Sequence, residues 1–347
     1  MIRTTLYDVA LRFREPLQTT AGIHKGRRSV IVAIERDGVT GWGEAATMPS
    51  GAWGTIDEVW GELASSGASG APRRVGLAVS ALQAAHADLE ARGAGVPLWR
   101  HLGATGRPVR ARVTFGLYDD PGDLVVAAER VAATGVTAVK IKIAPGRDLA
   151  QVAAVRRALP HLEVSVDANG AYRSPDDPVF AGLDELGVRL IEQPLPPGDL
   201  VGAAALRGRI GCSVCLDEAI RSPEDAAAAI ASTAADVLSL KIGRLGLAVS
   251  REILTMAVDA GIGIKAGGTF DTAVGRHVIL AFAGLPGVID AEAGPPDAYL
   301  MGPPGRYPEI VAGEITPDPG PGIGEAVDRE TLEREAIRTF EFVREPE

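Results

Sequence analysis

Cysteine is nearly missing from this chain. Cys212 and Cys215 are its only two in 347 residues. That is too few for a disulfide scaffold and fits a reducing compartment, so the cytoplasm is the expected location. Basic residues are also short: 35 Lys and Arg against 45 Asp and Glu leave a formal charge of −10, which repels phosphate backbones and anionic lipid surfaces. No nucleic acid and no membrane is therefore expected as a partner. No stretch reaches the roughly 18 uncharged apolar residues of a membrane span. Met1 to Glu15 carry charges throughout, unlike a secretory signal. The five histidines show no metal-ligand spacing. What is abundant is aliphatic surface: the chain is 46% hydrophobic but only 5% aromatic, with 42 Gly and 24 Pro. That composition implies a large core built from many short elements joined by tight turns, and excludes disorder.

Short runs rich in Val, Ile and Leu recur at a nearly fixed spacing. They are Val109–Gly116, Ala138–Ile143, Val164–Asn169, Leu190–Pro194, Val214–Ala219, Val237–Gly243, Ile262–Gly267 and Val288–Gly294. Taking Phe115, Lys142, Asp167, Glu192, Asp217, Lys241, Lys265 and Asp290 as markers, the steps are 27, 25, 25, 25, 24, 24 and 25 residues. A strand of about five residues, a helix of about twelve and two short loops fill such a step. The segments between read as helices, among them Asp123–Thr134 before Gly135, Leu149–Leu159 after Asp148, and Leu247–Ala260 before Gly261. Ser222, Pro223 and Glu224 open another in the order of a cap. Eight such repeats predict a closed parallel (β/α) barrel, with an open doubly wound sheet as the alternative. In front of it, Leu6–Phe13 and Ser29–Arg36 read as strands, Gly41-Trp42-Gly43 as a tight turn and Val75–Arg92 as a long helix. Thr19 to Lys25 and Met48 to Gly54 read as loops over a neighbouring site, and Glu330 to Phe342 as a helix returning to this domain.

Every marker after Phe115 is charged. A charge inside an enclosed strand is costly unless it is paired or bound to metal. The order is Lys142, then Asp167, Glu192 and Asp217, then Lys241 and Lys265, each near the carboxyl end of its strand, where barrel active sites are built. Three carboxylates on adjacent strands would repel one another, and a hard divalent cation resolves the conflict. Oxygen-only ligands point to Mg²⁺, with Mn²⁺ as a substitute. The alternative is that each acid merely caps the helix after its strand. Lys142 and Lys241 flank the acids, as two bases facing opposite sides of a substrate would. Lys140 lies one layer below Lys142, where stacked ammonium groups would lower the pKa of the outer one. Asn169 is placed to hydrogen-bond at the rim. A carboxylate substrate on such a metal would have its α-proton acidified.

These residues sit in motifs that resemble the enolase superfamily. Lys140-Ile141-Lys142, Val166-Asp167-Ala168-Asn169, Ile191-Glu192-Gln193-Pro194-Leu195, Leu216-Asp217-Glu218-Ala219 and Leu240-Lys241-Ile242-Gly243-Arg244 look like its muconate-lactonizing subgroup, and Gly41-Trp42-Gly43-Glu44 extends the likeness to the first domain. The branch most similar is that of o-succinylbenzoate synthases and N-acylamino acid racemases. The resemblance implies an α/β fold: a (β/α)7β TIM-like barrel over 106–305, with an α+β capping domain formed by 1–105 and a tail, 306–347. It implies Asp167, Glu192 and Asp217 as Mg²⁺ ligands and Lys142 and Lys241 as the acid/base pair, with Lys140, Asn169 and Glu218 in support. The implied activity is abstraction of the proton α to a carboxylate through an enediolate. Dehydration of the o-succinylbenzoate synthase kind leads, with N-acylamino acid racemisation, dipeptide epimerisation or muconate cycloisomerisation as alternatives. A non-catalytic binding protein would be expected to have lost one of the five residues. A homo-oligomer is a further expectation by analogy.

The chain departs from the branch at the seventh strand. Where an aromatic, then Gly-Gly-Met and Glu-Thr, is usual, it has Lys265-Ala266-Gly267-Gly268-Thr269-Phe270-Asp271-Thr272. Lys265 reads as a group for a second substrate anion, and Gly267 and Gly268 as backbone open to a carboxylate. Asp290 and Glu292 on the eighth strand are similar to the acidic pair that dipeptide epimerases use for a substrate ammonium; pairing with Lys265 is the other reading. His24 and Trp53, on the two loops, are expected near the substrate. Cys215, two residues before Asp217, reads as barrel filling rather than a redox group.

Overall fold

The computed structural model describes all residues except 20, 21, 49, 50, 52, 70–75, 303, 304, 346 and 347. Three strands, β1 (Ile2–Thr19), β2 (Gly22–Arg36) and β3 (Val39–Ala46), open the chain as an antiparallel meander. A short strand, β4 (Val109–Arg110), precedes eight parallel ones: β5 (Arg112–Phe115), β6 (Ala138–Lys142), β7 (Glu163–Asp167), β8 (Leu190–Glu192), β9 (Ser213–Leu216), β10 (Val237–Lys241), β11 (Gly263–Gly267) and β12 (Val288–Ala291). Then follow β13 (Ile310–Val311), β14 (Glu314–Ile315) and β15 (Ala336–Arg344).

Strands β5 to β12 lie side by side in chain order, a nearly closed barrel with helices between successive strands. Outward residues such as Val139, Ile141, Val164, Val166, Ile191, Val214, Leu238 and Ile264 are sealed from solvent against the helices. Burying each contributes about 1.5–3 kcal/mol. The helices start where the sequence supplies acceptors. Asp177, Asp199 and Ser222 accept the amides of Val179, Gly202 and Asp225 at 3.0, 2.8 and 3.2 Å, satisfying orphan donors of the first turn. The barrel seam between β5 and β12 is closed by side chains. Arg112 donates to both oxygens of Asp290 at 3.2 and 3.1 Å, and the Tyr299 hydroxyl accepts the Thr114 amide at 2.5 Å.

Three expectations for the capping region need correction, and one falls partly outside the described residues. Gly41-Trp42-Gly43 is not a turn but part of β3; the turn is Asp37-Gly38, with φ of 53° and 78°, as a two-residue hairpin demands. The glycines are there for contact: a Cβ on Gly43 would stand 2.0 Å from the Ala81 carbonyl oxygen of the helix Leu77–Gly93. Of the loop expected over Thr19 to Lys25, Thr19 and Gly22 to Lys25 lie in β1 and β2, which stay paired out to Thr19 and Gly22, while Thr20 and Ala21 lie outside the described residues. That ribbon docks on the barrel, where Gln18 accepts the Leu117 amide at 2.8 Å. Val75, the first residue expected in the helix over Val75–Arg92, lies outside the described residues. Finally, the tail is helical only over Arg329–Glu335 and continues as β15, pairing with β1 from Ile2 opposite Arg344 to Asp8 opposite Arg338. The free edge of β1 and the β-formers Ile337, Thr339, Phe340 and Val343 override helical periodicity there.

Candidate active site

The parallel register brings Lys142 beside Asp167, and Asp167 beside Glu192, at the carboxyl ends of β6, β7 and β8. Asp217 follows β9 directly, and Lys241 ends β10, paired with Gly267. All five predicted core residues are buried at this one rim, Glu192 completely. Lys142 Nζ lies 3.0 Å from Asp167 Oδ2, and Lys241 Nζ 3.0 Å from Asp217 Oδ2. Lys140 Nζ, one layer down, lies 2.8 Å from Glu192 Oε2 and 3.6 Å from Asp167 Oδ2. Each acid thus turns one oxygen to a lysine. Glu192 Oε1 and Asp217 Oδ1 are buried with no hydrogen-bond partner, while Asp167 Oδ1 accepts only the Asn169 amide at 3.0 Å.

This donor set fits a hard divalent cation: oxygen only, two acceptors orphaned, and a surplus of carboxylates on adjacent strands. With the ammonium groups among them, no three acidic, His or Cys side chains of the described residues converge closely enough to form a metal cage as placed.

Electrostatics follow burial and neighbours. Burial alone would depress the Lys140 ammonium, but Glu192, Glu292 and Asp167 hold it well above the ordinary lysine value. The expected repulsion between stacked ammonium groups is therefore answered by acids around Lys140. Lys241 is likewise raised, burial being outweighed first by Asp217 and then by Glu292. Burial works against ionised Glu192, yet Lys140 and Lys265 hold it far below the usual carboxylate range. Glu218 moves the other way, pushed up to about 7 by burial and by Asp217 and Asp167.

The supporting residues are drawn together as well. Asn169, at φ 44°, accepts a hydrogen bond from Lys142 and donates to Glu218 Oε1 at 2.8 Å. Gln193, not singled out from the sequence, adopts φ 38°. Its Oε1 accepts the Asp217 and Ala219 amides at 3.0 and 3.1 Å, tying the end of β9 to the end of β8. Its place directly after Glu192 was the available signal. Glu44 was legible only as part of a motif. Its carboxylate accepts the Thr272 and Gly275 amides at 2.9 and 3.1 Å and so caps the helix Ala273–Ala283 from the other domain. Arg244 too was legible only as part of a motif. It is buried, donates to the Ile220 carbonyl at 2.6 Å, and leaves Nε and Nη1 without partners.

The expected substrate contacts fare differently. Lys265 is 1% exposed, its Nζ 2.5 Å from Glu192 Oε2 and 3.1 Å from Glu292 Oε1; it is committed beneath the acids and is not offered to a second anion. Asp290 points to the lower layer, held by Arg112 and Arg189 at 3.1 Å each, rather than to a substrate ammonium. The Gly268 amide is taken by Glu292 Oε2 at 2.9 Å, so neither group is open to substrate. Gly267 makes room instead: a Cβ there would stand 3.0 Å from Lys241 Cδ. His24 meets Thr19 at 3.4 Å within the ribbon. Trp53 stacks on Arg244, 4.7 Å from guanidinium carbon to ring centroid, while Pro49, Ser50 and Ala52 of its loop lie outside the described residues. A cleft of about 1210 Å³ runs along the seam past Phe13, Leu17, Phe115, Phe270 and Tyr299. The lysine and carboxylate cluster does not line it, and the chemistry belongs with the cluster.

Known proteins share this fold and much of this sequence. The family described as enolase C-terminal domain-like matches residues 123–331. The o-succinylbenzoate synthase of Geobacillus kaustophilus is 32% identical over 95% of this chain and 94% of its own. The N-succinylamino acid racemase of Thermus thermophilus is 36% identical over 61% of this chain and 58% of its own. A probable mandelate racemase from Alicyclobacillus acidocaldarius superimposes with a TM-score of 0.85 at 30% identity, covering 98% of both chains. Barrel, rim and relatives together show that the chain is an enzyme of the enolase superfamily, in the mandelate racemase and muconate-lactonizing subgroup, beside the o-succinylbenzoate synthases and N-succinylamino acid racemases.

Proposed function

We propose that the enzyme removes the proton α to the carboxylate of a small substrate with Lys142 and Lys241 as its acid/base groups, and that its reaction is dehydration of the o-succinylbenzoate synthase kind. The observation that carries this is the rim itself: two lysines flank three buried carboxylates, two of which keep an unpartnered oxygen. Asp167, Glu192 and Asp217 would hold Mg²⁺, or Mn²⁺ in its place. When bound, the cation supplies the positive charge that acidifies the α-proton and stabilises the enediolate. Lys142 takes the proton and then gives one to the departing hydroxyl, and Lys241 supports the enediolate by its charge. Asn169 and Glu218 hold Lys142 in line. Two free, buried cysteines keep the cytoplasm as the expected location; among the described residues no helix is long and apolar enough to cross a membrane.

A second reading is racemisation of N-acylamino acids or epimerisation of dipeptides, favoured by an ammonium on each side of the carboxylate arc. The two lysines would then exchange the α-proton on opposite faces. Purified enzyme with Mg²⁺ should aromatise a cyclohexadiene carboxylate precursor of o-succinylbenzoate, followed by absorbance. Racemisation of N-succinyl amino acids without that dehydration would replace the first reading by the second. Turnover of neither would remove both.

A further inference from the structure

One cluster has no task in this chemistry, and it forms the floor under the rim. Lys265 on β11 and Glu292 directly after β12 are buried there, the lysine at a position where the resembling branch leads one to expect an aromatic. Neither charge is tolerable alone. Without Lys265, Glu192 would be left with Lys140 alone within 4 Å; without Glu292, Lys265 would be left with Glu192 alone. Removing one partner of a buried pair leaves an uncompensated charge.

The two oxygens of Glu292 face different layers. Oε1 meets Lys140, and Lys265 at 3.1 Å, below. Oε2 reaches the rim, accepting the Gly268 amide at 2.9 Å and standing 3.6 Å from Lys241 Nζ. Lys241 Nζ in turn donates to the Gly268 carbonyl at 3.0 Å. Glu292 therefore faces the ammonium and also holds the residue, Gly268, on whose carbonyl that ammonium leans. Lys142 is held differently, by Asp167 and by Asn169, which leans on Glu218.

We propose that Glu292, braced from below by Lys265, is a positioning residue that aims Lys241 at one face of the bound substrate. This deepens the two-lysine reading and rests on it. The test measures deuterium uptake at Cα separately from the L- and D-enantiomers of an N-succinyl amino acid, using Mg²⁺-loaded enzyme. In Glu292→Gln, uptake from the enantiomer served by Lys241 falls about a hundredfold, and from the other less than about threefold, since a displacement of about 1 Å is enough to cost that much. The double variant Lys265→Met/Glu292→Gln, which removes one charge of each sign, shows the same asymmetry if the single variant fails to fold. Equal loss from both enantiomers, or none, overturns the proposal. Should the unaltered enzyme exchange neither enantiomer, the racemase reading fails on its own, and a crystal structure of the double variant decides the positioning claim. Lys241 Nζ departing from the Gly268 carbonyl by about 1 Å or more supports it, and an unmoved Lys241 overturns it.

Discussion

Among the described residues, Lys142 hydrogen-bonds to Asp167 and Asn169 at the rim, so its removal should disturb chemistry more than stability. Lys142→Ala is expected to lower turnover of the true substrate by about a thousandfold or more while thermal unfolding stays near that of the parent; retained activity would remove Lys142 as the base. Asp290 gives the opposite pattern. Burial disfavours its charge, but Arg112, Lys265 and Arg189 keep its pKa below the ordinary aspartate value. Its contribution is therefore present above the unfolded-state pKa and lost as pH falls through the depressed folded value. Asp290→Asn should cost about 3 kcal/mol at pH 7, a gap that narrows as the parent is acidified. Denaturant midpoints at several pH values check this, and a gap independent of pH would contradict it. At this scale the sequence was readable where charge met strand spacing, at Lys142, Asp167, Glu192, Asp217 and Lys241. It was unreadable where the partner is remote in the chain. Lys265 reads as a ligand for substrate until Glu192 and Glu292 are seen around it, and Asp290 until Arg112 crosses the seam.

Among the elements, the barrel strands were legible because burial on both faces writes them as short aliphatic runs at constant spacing. The capping sheet was less so. The glycines of β3 look like turn residues, yet they serve close packing of the helix Leu77–Gly93. Gly43→Ala would place a Cβ 2.0 Å from a backbone oxygen that cannot rotate away, and should destabilise the protein by about 2 kcal/mol. An unchanged melting temperature would contradict that account. The tail strand β15 was misread as helix because pairing with β1, more than 300 residues earlier in the chain, overrides local preference.

For the molecule as a whole, the two parts are joined at the site they serve. Glu44 of the capping sheet caps a barrel helix beside Thr272, and Arg27 reaches the Thr269 carbonyl. The surplus of acids at the rim predicts a metal requirement with a readout apart from catalysis: Mn²⁺ binding by calorimetry should be lost in Asp217→Asn and retained in Lys142→Ala. The most direct test of the central claim is deuterium wash-in at Cα of candidate carboxylates in D₂O. The account predicts uptake by the Mg²⁺-loaded enzyme, none in EDTA and none in Lys142→Ala/Lys241→Ala. Uptake that persists in EDTA or in the double variant, or none from any N-acylamino acid, dipeptide or cyclohexadiene carboxylate, would contradict it.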